Sequence, residues 1–444
     1  MTEVTRDHSV CVIGAGYVGI VTAVGLASLG RRVTVIEIDG TRRAAVAAGR
    51  APIHEPGLDA LLAEQVRAGR LRVSGDLGEG LRGSGIVIVA VGTPPTAHGD
   101  ADLSQVRAVV ASIAAAAEPD TVVAVKSTVP PGTVLSLQRT AGDRVAVVMC
   151  PEFLREGTAL EDFRSPARLV VGGPEAAARR VAALFTELGG ELILTDPTSA
   201  ELIKYGSNAF LALKISFINE IARLCELTGA DVDAVAEGMG RDPRVGRAFL
   251  NAGLGFGGSC FPKDVRALEA TAGFHGESFW LLKAAIEVNA QQRRRFVAKV
   301  RSVLGGDVDG RRIAVLGLAF KPGTDDLRQA PALDVIRHLE ELGASVSATD
   351  PVAMDRARHL LPATDLCADA YACARGADVV VLVTEWPEFR TLDWGRMAGA
   401  MAGDAVVDGR NHLDGPALAA LGLRYYSVGR TPVLPAPATV TVDG

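Results

Sequence analysis

Residues 9–13, SVCVI, form a short unbroken apolar run, and GAGYVG follows it directly. Next comes IVTAVGLASLG, apolar on all sides and helical in period, and then a second strand-like run, RVTVIEID. Apolar runs recur at GIVIVAVG (85–92), TVVAVKST (121–128), VAVVMCP (145–151) and ARLVVGG (167–173). Each has the length and composition of a strand buried on both faces, and helical segments separate them. That alternation predicts a parallel, doubly wound sheet.

The pattern changes near Pro197. Residues 199–229 and 277–304 carry a helical period with almost no strand signal, and long helices of this kind often make a subunit interface. At 311 the first pattern returns. RRIAVLGLAF is a strand with a glycine turn, APALDVIRHLEELG a helix, ASVSATD a strand ending in Asp350, and ADVVVLVTEW a further strand. This is a weak internal repeat. The fold expected is α/β, with two Rossmann-like doubly wound parallel-sheet domains (1–196 and 301–444) joined by a central helical domain (197–300). The second glycine turn lacks the later glycines, which argues against a second dinucleotide site. The tail from 430 is proline-rich and expected to be mobile.

A chain of 444 residues needs more than one core. Its 46 basic and 52 acidic residues leave a net charge of -6, which gives no basic face for nucleic acid. The opening residues are polar and run straight into a strand, and no apolar run is long enough for a membrane span. The six cysteines form no CxxC pair and no histidine stands at zinc-ligand spacing, so neither a metal site nor a disulfide framework is indicated. A reduced, cytoplasmic protein is expected. Only seven of the basic residues are lysines, and a chain so biased toward arginine can retain a lysine where a compact ammonium matters.

Gly14, Gly16 and Gly19 make a GxGxxG between a strand and a helix, with Glu37 closing the next strand. In that context the motif indicates a dinucleotide whose pyrophosphate lies on the helix N-terminus. Glu37 would accept from ribose hydroxyls and repel a 2′-phosphate, favouring NAD over NADP, although Arg42 and Arg43 stand close by. Ser127 and Thr128 lie at the end of one strand, Glu152 and Glu156 just beyond another, where open α/β sheets bind ligands; a solvated loop is the plainer alternative. Lys204 and Asn208 are four apart, hence on one helix face, and Lys204 is either snorkelling or functional. GFGGSCFPKD (255–264) places Cys260 behind glycines and ahead of a helix start, next to Lys263. That environment favours a reactive thiolate, with a structural loop cysteine as the alternative.

Together and in order, GAGYVG, KSTVPPGT, PEFLREG, the Lys204/Asn208 helix, GFGGSCFPKD, AFKPGTDDLR (319–328) and VVDGRN resemble the UDP-glucose/GDP-mannose dehydrogenase family over nearly the whole chain. The resemblance implies four-electron oxidation of a nucleotide sugar by two NAD, through a thiohemiacetal and thioester on Cys260. It assigns Lys204 to oxyanion stabilisation with Asn208 assisting, and Glu152 to thioester hydrolysis with Thr128 and Asp264 positioning water. Along NAD it implies Glu37, Arg42, Thr93, Ser127, Thr128 and Glu156, with Lys263 and Arg328 near phosphates. For the nucleotide sugar it implies Glu152, Phe153, Leu154, Arg155 and Glu156, then Lys204 and Asn208. The 249–257 stretch (Phe249, Asn251, Gly255, Phe256, Gly257), Lys321 and Arg410 complete that set, with Arg244 entering from a second subunit of a homodimer. Gln329 stands where relatives often have an acid. UDP-glucose is the expected substrate. GDP-mannose or a UDP-N-acetylhexosamine is the nearest alternative, ahead of a single-step hydroxyacid-type dehydrogenase and a non-catalytic sensor.

Overall fold

A computed structural model describes residues 9–97 and 99–437. The polar start (1–8) and the end of the proline-rich tail (438–444) lie outside the described residues. The chain forms two compact units, Met1–Asn208 with Arg266–Ser278, and Ala209–Val265 with Phe279–Gly444.

The first unit holds eight strands: β1 Ser9–Ile13, β2 Arg32–Ile36, β3 Leu71–Ser74, β4 Ile86–Val89, β5 Thr121–Val125, β6 Val145–Met149, β7 Arg168–Gly172 and β8 Glu191–Thr195. Their order is β3-β2-β1-β4-β5-β6-β7-β8. The first six positions are the doubly wound dinucleotide-binding order. Register aligns Ile13 with Ile36 and Val89, and Val125 with Met149. Gly14, Glu37, Ala90, Lys126 and Cys150 therefore leave the sheet along a single edge, where ligands bind in such folds. One feature departs from the expected all-parallel sheet: β6 and β7 are antiparallel, joined through Met149 and Gly172. The stretch between them contains one short helix, Ala159–Arg164, and returns the chain reversed instead of making a full crossover.

Helices cover both faces. Ile20, Val24 and Leu26 of the Tyr17–Ser28 helix pack with Val10, Val12 and Val35, and Val106, Val110 and Ile113 of the Ser104–Ala116 helix with Val87 and Val123.

The second unit carries β9 Arg312–Leu316, β10 Ser345–Thr349, β11 Asp365–Leu366, β12 Val379–Leu382, β13 Ala405–Asp408 and β14 Arg424–Tyr426. The order β11-β10-β9-β12-β13-β14 repeats that of the first sheet, and every pairing is parallel. Long helices share this core: Ile218, Ala222 and Cys225 of Pro197–Thr228 and Phe296, Val297 and Val300 of Trp280–Val303 lie in one cluster with Ile313, Val315 and Leu316. Among the described residues no helix is long and apolar enough to cross a membrane, and no cluster of His, Cys, Asp and Glu could hold a metal ion.

Candidate active site

In the first unit the glycine turn is built for a tight fit on one side and open space on the other. A Cβ at Gly19 would lie 1.9 Å from the Gly14 carbonyl oxygen, and one at Gly14 2.7 Å from the Ala90 oxygen. A Cβ at Gly16, the residue preceding the Tyr17–Ser28 helix, meets nothing within 4 Å. Packing thus requires the outer two glycines, while the middle one clears a helix N-terminus for an anion. Glu37 is buried, and its carboxylate accepts from the N–H groups of Ala15 and Asp39, both at 2.9 Å. A carboxylate has about four acceptor positions, so capacity for ribose hydroxyls remains. Arg43 donates to the Glu37 and Ile38 carbonyls and is engaged there, leaving Arg42 exposed at the mouth. Ile38, 87% exposed, offers a flat apolar surface beside Glu37. These residues fit a dinucleotide without a 2′-phosphate.

The neighbouring strand ends are tied together. Ser127 Oγ donates to the Val91 carbonyl at 2.7 Å and Thr93 Oγ1 to that of Thr128 at 3.0 Å. Beyond β6, Glu152 and Lys204 form an ion pair at 2.9 Å with both side chains 4% exposed. The other Glu152 oxygen accepts from the Leu154 N–H at 2.6 Å. Burial pushes the Glu152 carboxyl up, but Lys204, the Leu154 N–H and the more distant Lys126 together outweigh it and hold the group below the usual carboxylate range. Asn208, one turn on from Lys204, is buried as well. Phe153 lies under the Lys204 ammonium and the Arg168 guanidinium. Glu156 is buried, whereas Arg155 is exposed and ion-paired with Asp162.

Two acids that the sequence reading passed over hold this edge in place. Glu201, fully buried, accepts from the N–H groups of Gly132 at 2.6 Å and Val134 at 2.7 Å, anchoring the VPPGT turn behind Ser127 and Thr128. Burial pushes its carboxyl up to about 7, opposed by those N–H groups and assisted by Asp196. A carboxyl whose folded pKa exceeds its unfolded value of 4.5 keeps its proton longer when folded, so stability falls as pH rises from 4.5 toward about 7. Glu201→Gln removes that slope. The Tm difference between variant and parent is expected to shift in favour of the variant across this window; a difference that does not change with pH would exclude the effect. The second acid is Glu55, buried in the connection before the Leu58–Arg67 helix.

In the second unit Cys260 immediately precedes the Phe261–Phe274 helix, and its carbonyl accepts from the Asp264 N–H at 2.8 Å. The thiol is partly exposed, with Sγ 3.6 Å from Ser259 Oγ. The glycines before it are demanded by close approach: a Cβ at Gly257 would lie 2.3 Å from the Gln329 carbonyl oxygen, and one at Gly258 2.7 Å from the Phe320 ring. Gln329 itself has a φ of 51°, so its role on view is to aim that carbonyl at the glycine loop. Asn289 grips the Phe256 backbone at both N–H (2.7 Å) and carbonyl (3.0 Å), and Arg293 donates to the same carbonyl at 2.8 Å. Gly253 is held by Asn219 and Gln292 in the same way. Arg410 donates to the carbonyls of Val383, Gly255 and Phe320, which brings the VVDGRN turn to the loop.

Phe249, at a φ of 65°, packs its ring near Phe261. Asn251 accepts from Arg247, and Lys321 lies over the Phe320 ring. Lys263 is bonded to buried Asp264 at 2.6 Å. Arg328 and Arg244 are both largely exposed, each in a forked pair with its neighbour Asp326 or Asp242. The expected residues thus gather as a dinucleotide turn with a buried Lys–Glu pair in one unit, and a cysteine loop with Arg410 in the other.

The acid closing β10 shows why the second glycine turn differs from the first. Asp350 accepts from Leu318, Ala319, Val352 and Ala353 N–H and from Trp386 Nε1. Those five donors fill a group that offers about four positions.

Comparison with known proteins places the chain among nucleotide-sugar dehydrogenases. Models of the UDP-glucose/GDP-mannose dehydrogenase family match the chain over 8–188 (NAD binding domain), 198–291 (central domain) and 314–415 (UDP binding domain). The UDP-glucose 6-dehydrogenase of Rhizobium meliloti (strain 1021) is 45% identical over 436 residues, covering 95% of this chain and 99% of that protein. Among solved structures, a UDP-glucose dehydrogenase from Pyrobaculum islandicum is 39% identical with a TM-score of 0.88, covering 95% and 98% of the two chains. A UDP-D-ManNAc dehydrogenase from Pyrococcus horikoshii is 29% identical with a TM-score of 0.84, covering 95% and 99%. With every domain model matched in order and full-length relatives well above 30% identity, this chain belongs to the UDP-glucose/GDP-mannose dehydrogenase family.

Proposed function

We propose that the chain oxidises the C6 alcohol of UDP-glucose to a carboxylate, with NAD as oxidant and Cys260 as nucleophile. The observation that carries this reading is Cys260 at a helix start, behind glycines with no room for a Cβ, in a chain 45% identical over 436 residues to a UDP-glucose 6-dehydrogenase. NAD, held at the Gly14–Gly19 turn with Glu37 and Arg42 at its ribose, supplies the capacity to take up hydride. Each oxidation removes a hydride from carbon and a proton from oxygen. Lys204 places an ammonium where negative charge grows on that oxygen, and Asn208 adds an amide donor.

The Cys260 thiolate adds to the aldehyde carbon, forming a C–S bond and giving the tetrahedral centre from which a second hydride can leave. Water then cleaves the resulting thioester to carboxylate and free thiol. Glu152, kept ionised by Lys204, accepts the water proton, with Thr128 and Asp264 orienting the water. The glycine loop, Lys321 and Arg410 hold the nucleotide sugar.

The test is NADH formed from limiting UDP-glucose, run beside GDP-mannose and UDP-N-acetylhexosamines. Two NADH per UDP-glucose is the expected result. One per sugar removes the thioester stage, and two from a sibling sugar alone moves the substrate while keeping the chemistry.

The assembly belongs to the same reading. Phe210, Phe217 and Leu224 repeat at seven-residue intervals on the Pro197–Thr228 helix and are 62%, 50% and 56% exposed. A stripe of this kind is covered by a second copy in a homodimer, whose Arg244 enters the partner's sugar site. A single-chain mass in sedimentation equilibrium would remove the dimer. The cytoplasm, reducing and supplied with NAD, suits six free cysteines.

A further inference from the structure

Glu55 lies in the APIHEPG connection, outside every motif above in sequence, yet it is 5% exposed and bonded through both carboxylate oxygens. One carboxylate oxygen accepts from the Tyr17 hydroxyl and from the Gly157 N–H at 2.6 Å, the other from the Ala159 N–H at 2.7 Å. The Gly157 N–H also lies 3.0 Å from the Tyr17 oxygen. Tyr17 is the first residue of the helix behind the dinucleotide turn, and Gly157 ends the loop that carries Glu152 and Glu156. The loop leaves β6 at its other end, so strand pairing anchors one side and Glu55 the other.

We infer that Glu55, with Tyr17, is a positioning residue that sets the 152–157 loop for thioester hydrolysis. An apolar side chain could fill the space. A carboxylate at this depth is costly to bury unless its donors are fixed, and what it adds is direction. Burial and then the Glu55 charge push the Tyr17 hydroxyl well above its ordinary value, so it stays a donor throughout the working pH range. Loosening this end lets Glu152 drift from the water it must activate, while the hydride steps do not need that water. Misplacement by a fraction of an ångström at such a step costs about tenfold or more.

The inference rests on the proposed cysteine chemistry, and the test separates the two. Tyr17→Phe and Glu55→Gln are assayed with NAD and UDP-glucose beside Glu152→Gln, which removes the base itself. Expected for both positioning variants is a steady-state rate about tenfold lower, with the rapid first NADH release per site within about twofold of the parent. A sugar adduct on Cys260 should accumulate by intact mass. Tyr17→Phe leaves both N–H partners of Glu55 and guards against a folding failure of Glu55→Gln. If Glu152→Gln accumulates no adduct, the covalent reading itself falls. If it does but Tyr17→Phe and Glu55→Gln do not, or lose first-turnover and steady-state rates in parallel, or turn over like the parent, Glu55 is structural only and the inference is overturned.

Discussion

Cys260→Ala is expected to lower turnover of UDP-glucose by at least about three orders of magnitude, because the group that makes the covalent bond is removed. The loss should be chemical and not conformational. Cys260 contributes its carbonyl to the Phe261–Phe274 helix through the Asp264 N–H, and alanine keeps that bond. Its methyl is smaller than the thiol it replaces, so the glycine loop under Phe320 and the Gln329 carbonyl is undisturbed. The Tm should move by no more than a few degrees, and binding of UDP-glucose, read by calorimetry, should stay within a few-fold. An alanine variant that still releases two NADH per sugar at the parental rate would exclude covalent catalysis at this position.

Lys204→Ala should be the next most damaging change, and it should show in two readouts. As an oxyanion stabiliser, the ammonium is worth about two to three orders of magnitude in kcat. As the buried partner of Glu152 at 2.9 Å, its loss leaves an uncompensated carboxylate inside the protein, a cost of about 3–5 kcal/mol. The pH dependence follows from the sign of each shift. In the parent, Glu152 is held below 4.5, so the pair contributes stability above that pH and loses it as pH falls. In the variant, burial is opposed only by the Leu154 N–H and the distant Lys126, the carboxyl rises, and stability falls as pH increases. The Tm gap between parent and variant should therefore widen from acid toward neutral pH. Lys204→Arg should not restore the parent, since a planar fork cannot occupy the space of a compact ammonium. A Lys204→Ala turnover within about threefold of the parent would remove Lys204 from the mechanism.

The strong strands were legible because they are buried on both faces. SVCVI, IVIV and TVVAV each read as continuous apolar runs and each is a central strand. Leu71–Ser74 and Glu191–Thr195 escaped notice because they are the outer strands of the first sheet; partly exposed, LRVS mixes polar and apolar residues and ELILT offers an apolar run of only three. The antiparallel β6–β7 junction left no trace either, since strand direction is set by the connection and not by composition.

The site divides in the same way. Gly14, Glu37 and Cys260 sit in local motifs that point to their chemistry, Lys204 stands out as an ammonium on a mostly apolar helix, and Arg410 is reached only through the family resemblance. Glu55, Glu201 and Asn289 carry no such signal. Their partners are 102, 69 and 33 residues away, so EPG reads as a turn, Glu201 as an ordinary helix residue and Asn289 as surface. A buried acid or amide inside a polar-looking stretch is the signal in principle, but burial is known only once the chain is folded. Asp350 reads as the end of a strand, and the argument against a second dinucleotide lies in the missing later glycines; the donors gathered on Asp350 add a physical reason that the sequence does not show.

That crowded carboxylate also bears on how the two halves could diverge and on how far they could be made to converge again. In the first half the equivalent acid, Glu37, is buried but accepts from only two N–H groups and keeps acceptor capacity to spare. In the second it has become a keystone, locking the turn after β9, the start of the Met354–Leu360 helix and the Trp386 indole into one joint. Once a receptor group has been absorbed into the framework, drift at the neighbouring glycines carries little penalty, and reversal is barred by architecture as much as by missing residues. Grafting GAGYVG onto the second half would supply a cradle with no counterpart for the ribose. A protein engineer seeking two cofactor pockets in one chain would have to rebuild the Asp350 joint first.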